Sequence, residues 1–226
     1  MTHKLDFISD NHPRLHRVQT MRDFFDASFG PANVILCNRA LIGDFKALAR
    51  WLDREFQIEE KKQMLSLSVD QLRRLSGRMP GGESFAAGQI IKDMQDIHQS
   101  RAWPGAEHFG PVLRILSSDG YGSGNDYYTA TLHHDVHLPA GQKTGRIFCC
   151  YTGPVTEWVR NEEAKIRFQG DFMYDAAPDA AIHTFRLGEI WRAAGANIAA
   201  ARTEPFIHRS CKQKPGEPPR LVLQAE

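Results

Sequence analysis

The sequence predicts an α+β protein in which a mainly helical N-terminal half precedes an antiparallel β-sandwich or jelly roll. Apolar residues recur at spacings of three and four before residue 105, and short β-rich runs separated by turn residues follow it. The length of 226 residues suits one β-domain that carries extra helices. We therefore expect a single domain, with residues 1–105 as helical support packed outside a β core formed by residues 106–226.

Three helices are indicated in the first half. The first shows apolar residues on one face: Leu41, Phe45, Leu48, Leu52 and Phe56. Ser68 and Gln71 have the spacing of a capping box, which predicts a short helix around residues 72–75. The Pro-Gly-Gly stretch at 80–82 then predicts a break in the chain. A third apolar series predicts a helix that ends before Trp103: Ile90, Met94 and Ile97.

Six β-type runs follow, at residues 112–116, 127–132, 146–152, 181–187, 205–209 and 221–223. The glycine-rich stretch 119–125 separates the first two runs. It lacks the lysine of a phosphate-binding loop and precedes a strand, so we expect a hairpin loop there.

Composition narrows the classes of partner. The 28 basic and 27 acidic residues give a formal net charge of +1 without a basic run, which argues against nucleic acid or an anionic membrane surface. No uninterrupted apolar stretch approaches the roughly 18 residues that a membrane span needs. The first residues lack the plan of a secretory signal, so a cytoplasmic location is expected.

Four cysteines, at positions 37, 149, 150 and 211, do not form a Cys-x-x-Cys metal or redox motif. Cys149 and Cys150 are adjacent in a predicted strand, where neighbouring side chains point to opposite faces. They are therefore not expected to ligate one metal together, and all four are predicted to be reduced thiols that pack as small hydrophobic groups.

His133, Asp135 and His208 are the candidate metal ligands and catalytic residues. Two imidazoles and one carboxylate hold iron(II) on one face and leave the opposite face open for substrate and oxygen. His133 and Asp135 end a predicted strand two positions apart, so both should face the interior while His134 points away. His208 lies in another predicted strand, where Phe206 would share its face and provide an apolar backing.

Arg220 is the candidate ligand for the far carboxylate of a dicarboxylic co-substrate such as 2-oxoglutarate. It begins an apolar strand, in which a buried guanidinium is costly without an anion and a carboxylate would satisfy it through two hydrogen bonds. The alternative is a strand-end arginine that reaches solvent. Thr156 or Tyr151 could donate a hydrogen bond to the co-substrate, and Arg146 could meet an anionic group of the substrate.

Several alternatives stay open. His133, Asp135 and His137 could form a local three-ligand zinc site, although Pro139 and the turn-like segment 138–144 suggest that His137 leaves the strand. The same barrel could serve a non-catalytic zinc-binding or metal-homeostasis protein. A metal-free β-sandwich interaction module is the third alternative.

Four segments together resemble a family of bacterial proteins known as domain of unknown function family 1826: residues 146–158, 133–135, 186–189 and 208–210. The resemblance covers most of the chain and is strongest from residue 133 to 223. This family brings no assigned reaction with it.

More distantly, the order His-x-Asp, His, Arg resembles the cupin-like superfamily of iron(II) and 2-oxoglutarate dependent dioxygenases. That resemblance implies a double-stranded β-helix, ferrous iron, 2-oxoglutarate and oxygen. It places the metal ligands at His133, Asp135 and His208 and the co-substrate arginine at Arg220. The loop 136–145 departs from the superfamily pattern and affects the shape of the pocket. The sequence thus predicts an oxygenase that oxidises a C–H bond of a small-molecule or peptide substrate.

Overall fold

A computed structural model describes residues 5–7, 13–100, 110–117, 131–134, 146–167, 173–193, 205–211, 213 and 216–225. Within these ranges the chain forms two seven-stranded β-sheets and four α-helices. The helices are α1 (Met21–Asp26), α2 (Phe45–Phe56), α3 (Val69–Ser76) and α4 (Gly81–Gln99). The predicted combination of helices with two sheets is confirmed at this level.

The first sheet is backed by the helices, and we call it the helix-backed sheet. Its strands, in spatial order, are β2 (Leu15–Val18), β3 (Val34–Cys37), β12 (Ile190–Ala193), β7 (Ile147–Cys150), β14 (Arg220–Ala225), β5 (Val112–Leu116) and β4 (Met64–Leu67). All neighbouring strands in it are antiparallel except β2 and β3, which are parallel.

The second sheet, which we call the histidine sheet, contains seven strands of two to four residues. In spatial order they are β1 (Leu5–Phe7), β11 (Ile182–Thr184), β8 (Thr156–Trp158), β13 (His208–Ser210), β6 (Leu132–His133), β10 (Met173–Ala176) and β9 (Ala164–Ile166). From β5 to β8, and again from β11 to β14, consecutive strands alternate between the two sheets. The two sheets are therefore joined by the chain many times.

Alternation along the strands divides the helix-backed sheet into two faces. One face packs against the helices in the main hydrophobic core, with Leu113, Cys149 and Leu223 among its fully buried residues. The other face contributes Phe148 and Trp191, which lie toward the histidine sheet. The space between the sheets is thus where polar residues of both can meet.

The predicted helices are present, with adjusted ends. Helix α2 buries Phe45, Leu48 and Leu52 as predicted, but it begins after the N-cap Asp44, so Leu41 lies outside it. The capping box of Ser68 and Gln71 is confirmed at the start of α3.

The third predicted helix begins within the stretch that was predicted to break the chain. Gly81 and Gly82 belong to the first turn of α4, and Pro80 is its N-cap. The chain therefore breaks just before these glycines. Proline is tolerated there because the first N–H groups of a helix have no partner within it.

The N-terminal half contributes strands to the helix-backed sheet as well as helices. Strands β2, β3 and β4 come from it and extend the helix-backed sheet at both edges. All four residues of β3 are buried, so this strand is part of the core. The expectation that residues 1–105 only pack outside the sheets was therefore incomplete.

The cysteines agree with the expectation of reduced thiols. All four cysteines are free thiols; Cys37, Cys149 and Cys150 are buried and Cys211 is partly exposed. Burial raises the pKa of Cys149 to about 12, which keeps it protonated at neutral pH. Among the described helices, none combines the length and apolar character needed to cross a bilayer.

Candidate functional site

His133 and His208 lie side by side although 74 residues separate them in the sequence. They are register partners on the adjacent antiparallel strands β6 and β13. Their ring centroids are 4.7 Å apart. Two of the three predicted metal ligands are thus brought together by strand pairing alone.

Hydrogen bonds set the tautomer of both rings. His133 Nδ1 lies 2.7 Å from the carbonyl oxygen of Thr131, and His208 Nδ1 lies 3.1 Å from that of Phe206. Because a carbonyl oxygen only accepts, each Nδ1 carries a proton, and in the neutral form of such a ring the lone pair is on Nε2. Neutral imidazoles oriented in this way fit a divalent metal ion that binds through Nε2.

The third predicted ligand, Asp135, lies outside the described residues, as does His137. Within the described ranges, no group of three or more His, Cys, Asp or Glu side chains is placed to hold a metal. The described part of the site is therefore a pair of imidazoles.

An aromatic wall surrounds His208, which is only 5% exposed. Phe206 stacks on its ring at 5.2 Å and 14°, in agreement with the predicted apolar backing. Trp191 of the opposite sheet meets the same ring edge-on at 5.6 Å. This packing limits the rotation of the imidazole and keeps bulk water from one side of it.

His134 points away from the pair, as strand alternation predicts. Its Nδ1 is hydrogen-bonded to the Tyr174 hydroxyl at 2.7 Å. Tyr174 belongs to a separate hydrophobic cluster with Leu132 and Val159. His134 therefore provides a natural comparison for His133.

A cavity of about 160 Å³ lies between the two sheets, and we call it the inner cavity. Five residues predicted from the sequence line it: His133, His208, Arg220, Thr156 and Arg146. The other lining residues are Met64, Arg114, Leu116, Phe148, Trp191, Ser210, Val222 and Gln224. The histidine pair and three arginine residues thus line one common cavity.

Arg220 is a buried cation at the first position of β14. It is 2% exposed, so the alternative of an arginine that reaches solvent is wrong. Its Nε donates a hydrogen bond to Cys150 Sγ at 3.3 Å. Such a buried guanidinium is the group that a carboxylate ligand would pair with.

The turn after β7 fixes the backbone on both sides of Arg220. The Thr152 hydroxyl donates to the carbonyl oxygen of Pro219 at 3.0 Å and accepts from the amide of Leu221 at 2.9 Å. Gly153 follows with φ +78°, and a Cβ there would lie 3.1 Å from Cβ and Cγ of Arg220. This segment therefore holds the arginine in place.

The assignment of Tyr151 to the co-substrate was wrong. Its hydroxyl donates to Asp93 Oδ2 of α4 at 2.5 Å, and its ring stacks on Phe45 at 5.2 Å. Arg39 pairs with the same carboxylate and donates to Cys149 Sγ at 3.2 Å. Tyr151 thus belongs to the face of the sheet that packs on the helices. Burial there raises the pKa of its hydroxyl well above the usual value.

Sequence reasoning missed Arg114 as a lining residue. A signal was present, because Arg114 is the central residue of the otherwise apolar strand Val112–Leu116. Val112, Arg114 and Leu116 alternate with the buried Leu113 and Ile115. A charged residue in this position of a core strand is as informative as Arg220.

Residues 140–225 match the model of a family described as "Protein of unknown function (DUF1826)". The predicted family resemblance is thereby confirmed for this part of the chain. No curated protein is similar to the chain in sequence.

Three solved structures align with the chain at low sequence identity and with TM-scores below 0.5. JOX2 in complex with 2OG, Fe and JA has 11% identity and a TM-score of 0.44, covering 98% of this chain and 75% of that one. The dioxygenase for auxin oxidation in rice has 12% identity and a TM-score of 0.41, with coverage of 94% and 82%. A C-terminally truncated protein of Neurospora crassa in apo form has 12% identity and a TM-score of 0.37, with coverage of 90% and 84%.

Proposed function

We propose that the protein is an iron(II) and 2-oxoglutarate dependent oxygenase. One observation carries the proposal: two neighbouring imidazoles with protonated Nδ1 and one buried arginine line the same cavity but come from opposite sheets. Imidazoles suit iron, and a buried guanidinium suits a carboxylate. The cavity thus contains imidazoles suited to a metal ion and a guanidinium suited to the carboxylate of an organic acid.

The connectivity supports the same proposal. The central pairings are β5–β14–β7–β12 in one sheet and β6–β13–β8–β11 in the other. Eight strands that alternate between two sheets in this order are the arrangement of a jelly roll, or double-stranded β-helix. On this interpretation His133 ends the second strand of the barrel, His208 begins the seventh and Arg220 begins the eighth.

Each residue has a defined task in the proposed site. His133 and His208 would hold iron(II) through Nε2, with Asp135 as the third ligand. Arg220 would pair with the far carboxylate of 2-oxoglutarate, and the Thr156 hydroxyl would donate to the same molecule. When bound, iron(II) and 2-oxoglutarate supply oxygen activation and oxidation of a substrate C–H bond. The aromatic wall keeps bulk water from one side of His208, and a lower local dielectric there would strengthen charge pairing.

Anaerobic reconstitution tests this function without knowledge of the substrate. Iron(II) is added to the metal-free protein, followed by 2-oxoglutarate, and the visible absorption is recorded. We expect a charge-transfer band from chelation by the keto acid, and no band with succinate, which lacks the keto oxygen. Iron or zinc binding without any effect of 2-oxoglutarate would instead support the metal-binding alternative.

Gly153→Ala should weaken 2-oxoglutarate binding by displacing Arg220. A non-glycine residue at φ +78° costs about 1 to 3 kcal/mol of folding stability, and the new Cβ presses on the arginine side chain. Gly216→Ala is the matched control, because Gly216 has φ +83° and nothing lies within 4 Å of the added Cβ. Chemical denaturation should show a similar loss of stability in both variants.

Titration of 2-oxoglutarate into the iron-loaded proteins separates the two glycine variants. Only the Gly153 variant should bind the co-substrate more weakly than the wild type. Equal affinity in both variants would show that this turn does not position the arginine.

A further inference from the structure

A second, larger groove adjoins the inner cavity. It has a volume of about 580 Å³ and lies where α3, the C-terminal half of α4 and the start of β5 meet; we call it the outer groove. The inner cavity, at about 160 Å³, is smaller than the roughly 300 to 1,000 Å³ typical of sites for drug-sized ligands, whereas the outer groove falls within that range. A substrate body larger than the co-substrate therefore finds room in the outer groove.

Arg114 and Gln224 line both spaces. Strand register explains this shared wall. Arg114 is paired with Val222, and Gln224 is paired with Val112 and with Phe148. Gln224 lies four residues after Arg220 on β14, so the two side chains share one face of the sheet. Arg114 is paired with Val222, two residues after Arg220, so it lies on the same face. A molecule in the outer groove would reach the inner cavity past these two side chains.

The lining of the outer groove predicts the chemistry of its ligand. Val69, Pro111 and Val112 provide apolar surface. On α3, Arg73 pairs with Asp70 at 3.0 Å and both side chains are more than half exposed. Arg114, by contrast, is half-buried at the junction with the inner cavity. This arrangement fits a molecule with an apolar body and one anionic group.

We propose that the outer groove binds the body of the primary substrate, an amphipathic small-molecule anion, and that Arg114 pairs with its anionic group. The role as a substrate site rests on the proposed oxygenase function. The binding of an amphipathic anion to the groove does not, and it is measurable on the metal-free protein.

The probe for this site is 1-anilinonaphthalene-8-sulfonate, which has an apolar body and one sulfonate. Its fluorescence is titrated with metal-free wild type and variants. We expect Arg114→Leu to weaken binding about tenfold, because a hydrogen bond to a charged group is lost. Arg114→Lys should retain most of the affinity. Arg50→Leu is the control, since Arg50 is an exposed arginine of α2 away from both spaces.

A second variant tests the groove without a change of charge. Gln95 of α4 lines the outer groove and is partly exposed, so Gln95→Trp should fill it. Circular dichroism and thermal unfolding verify that each variant is folded. We expect the Gln95 variant to bind the probe more than tenfold more weakly while it binds 2-oxoglutarate as the wild type does.

Three results would overturn the proposal. Wild-type affinity for the probe in Arg114→Leu would refute the anion pairing. Wild-type affinity in Gln95→Trp would refute the groove as the site, and so would displacement of the probe by saturating 2-oxoglutarate. A failure of the proposed oxygenase function is detected in a separate measurement. In that case the wild type would show no charge-transfer band with iron(II) and 2-oxoglutarate.

Discussion

We expect His133→Ala and His208→Ala each to lose stoichiometric iron(II) binding while the protein stays folded. The two rings are 4.7 Å apart, and each is held by a hydrogen bond from Nδ1 to a backbone carbonyl, so neither can be replaced by a neighbour. Removing one ligand of a metal site removes a large part of the binding free energy. Metal analysis of the purified variants, with circular dichroism for folding, measures both quantities.

His134→Ala is the matched control for this experiment. It removes an imidazole one position along the chain, but from the side that faces Tyr174. Iron binding should stay stoichiometric in this variant. Asp135→Ala is predicted to behave like the two ligand variants. Full iron retention in the His208 variant would refute the pair and favour the local site that uses His137.

Arg220→Leu should leave iron binding nearly unchanged and weaken 2-oxoglutarate binding more than tenfold. Truncating one side of a buried, hydrogen-bonded charge pair costs on the order of 2 to 5 kcal/mol. Arg220 is 2% exposed as a whole residue, so solvent would screen the pair little. Titration of the co-substrate into iron-loaded wild type and variant gives the two affinities.

Arg209→Leu controls for the loss of a positive charge near the site. Arg209 follows His208 directly but pairs with Glu157 at 2.7 Å, away from the inner cavity. Its replacement should leave 2-oxoglutarate affinity at the wild-type value. Equal affinity in wild type and the Arg220 variant would show that this arginine does not bind the co-substrate.

Local patterns predicted some of the strands that line the inner cavity, but they missed β8 and β12, which carry Thr156 and Trp191. Strand β5 was predicted with its observed ends, Val112–Leu116, because an apolar run there is bounded by turn residues. The directions of His133 and His134 followed from the two-residue period of a strand. The pairing of His133 with His208 required a long-range register that no local pattern contains; there the resemblance to a known family supplied the prediction.

The alternation of side chains along one strand contradicts the assignment of Tyr151 to the co-substrate. Arg146 and Phe148 line the inner cavity, so residues at odd positions of the same run face the helices. Arg146 and Tyr151 are five residues apart and were both assigned to the cavity. An extended strand does not allow both, because successive side chains alternate.

The N-terminal strands were missed for a different reason. Strands β2, β3 and β4 are four residues each, and a helix with a strong amphipathic pattern separates β3 from β4. A short apolar run such as Val34–Cys37 fits a buried strand and a buried helix turn equally well. Only its pairing with β12 and β2 distinguishes the two, and pairing is a tertiary property.

The histidine pair and Arg220 belong to different sheets, so the distance between the sheets affects which length of co-substrate would fit the proposed site. In the proposed oxygenase site, the separation between the sheets would set the distance that a dicarboxylate must span between the histidine pair and the guanidinium of Arg220. Aromatic side chains from both sheets, including Trp191 and Phe206, hold that separation. In the proposed site, a keto diacid that is too short or too long for this separation would lose its contact with the metal or with Arg220.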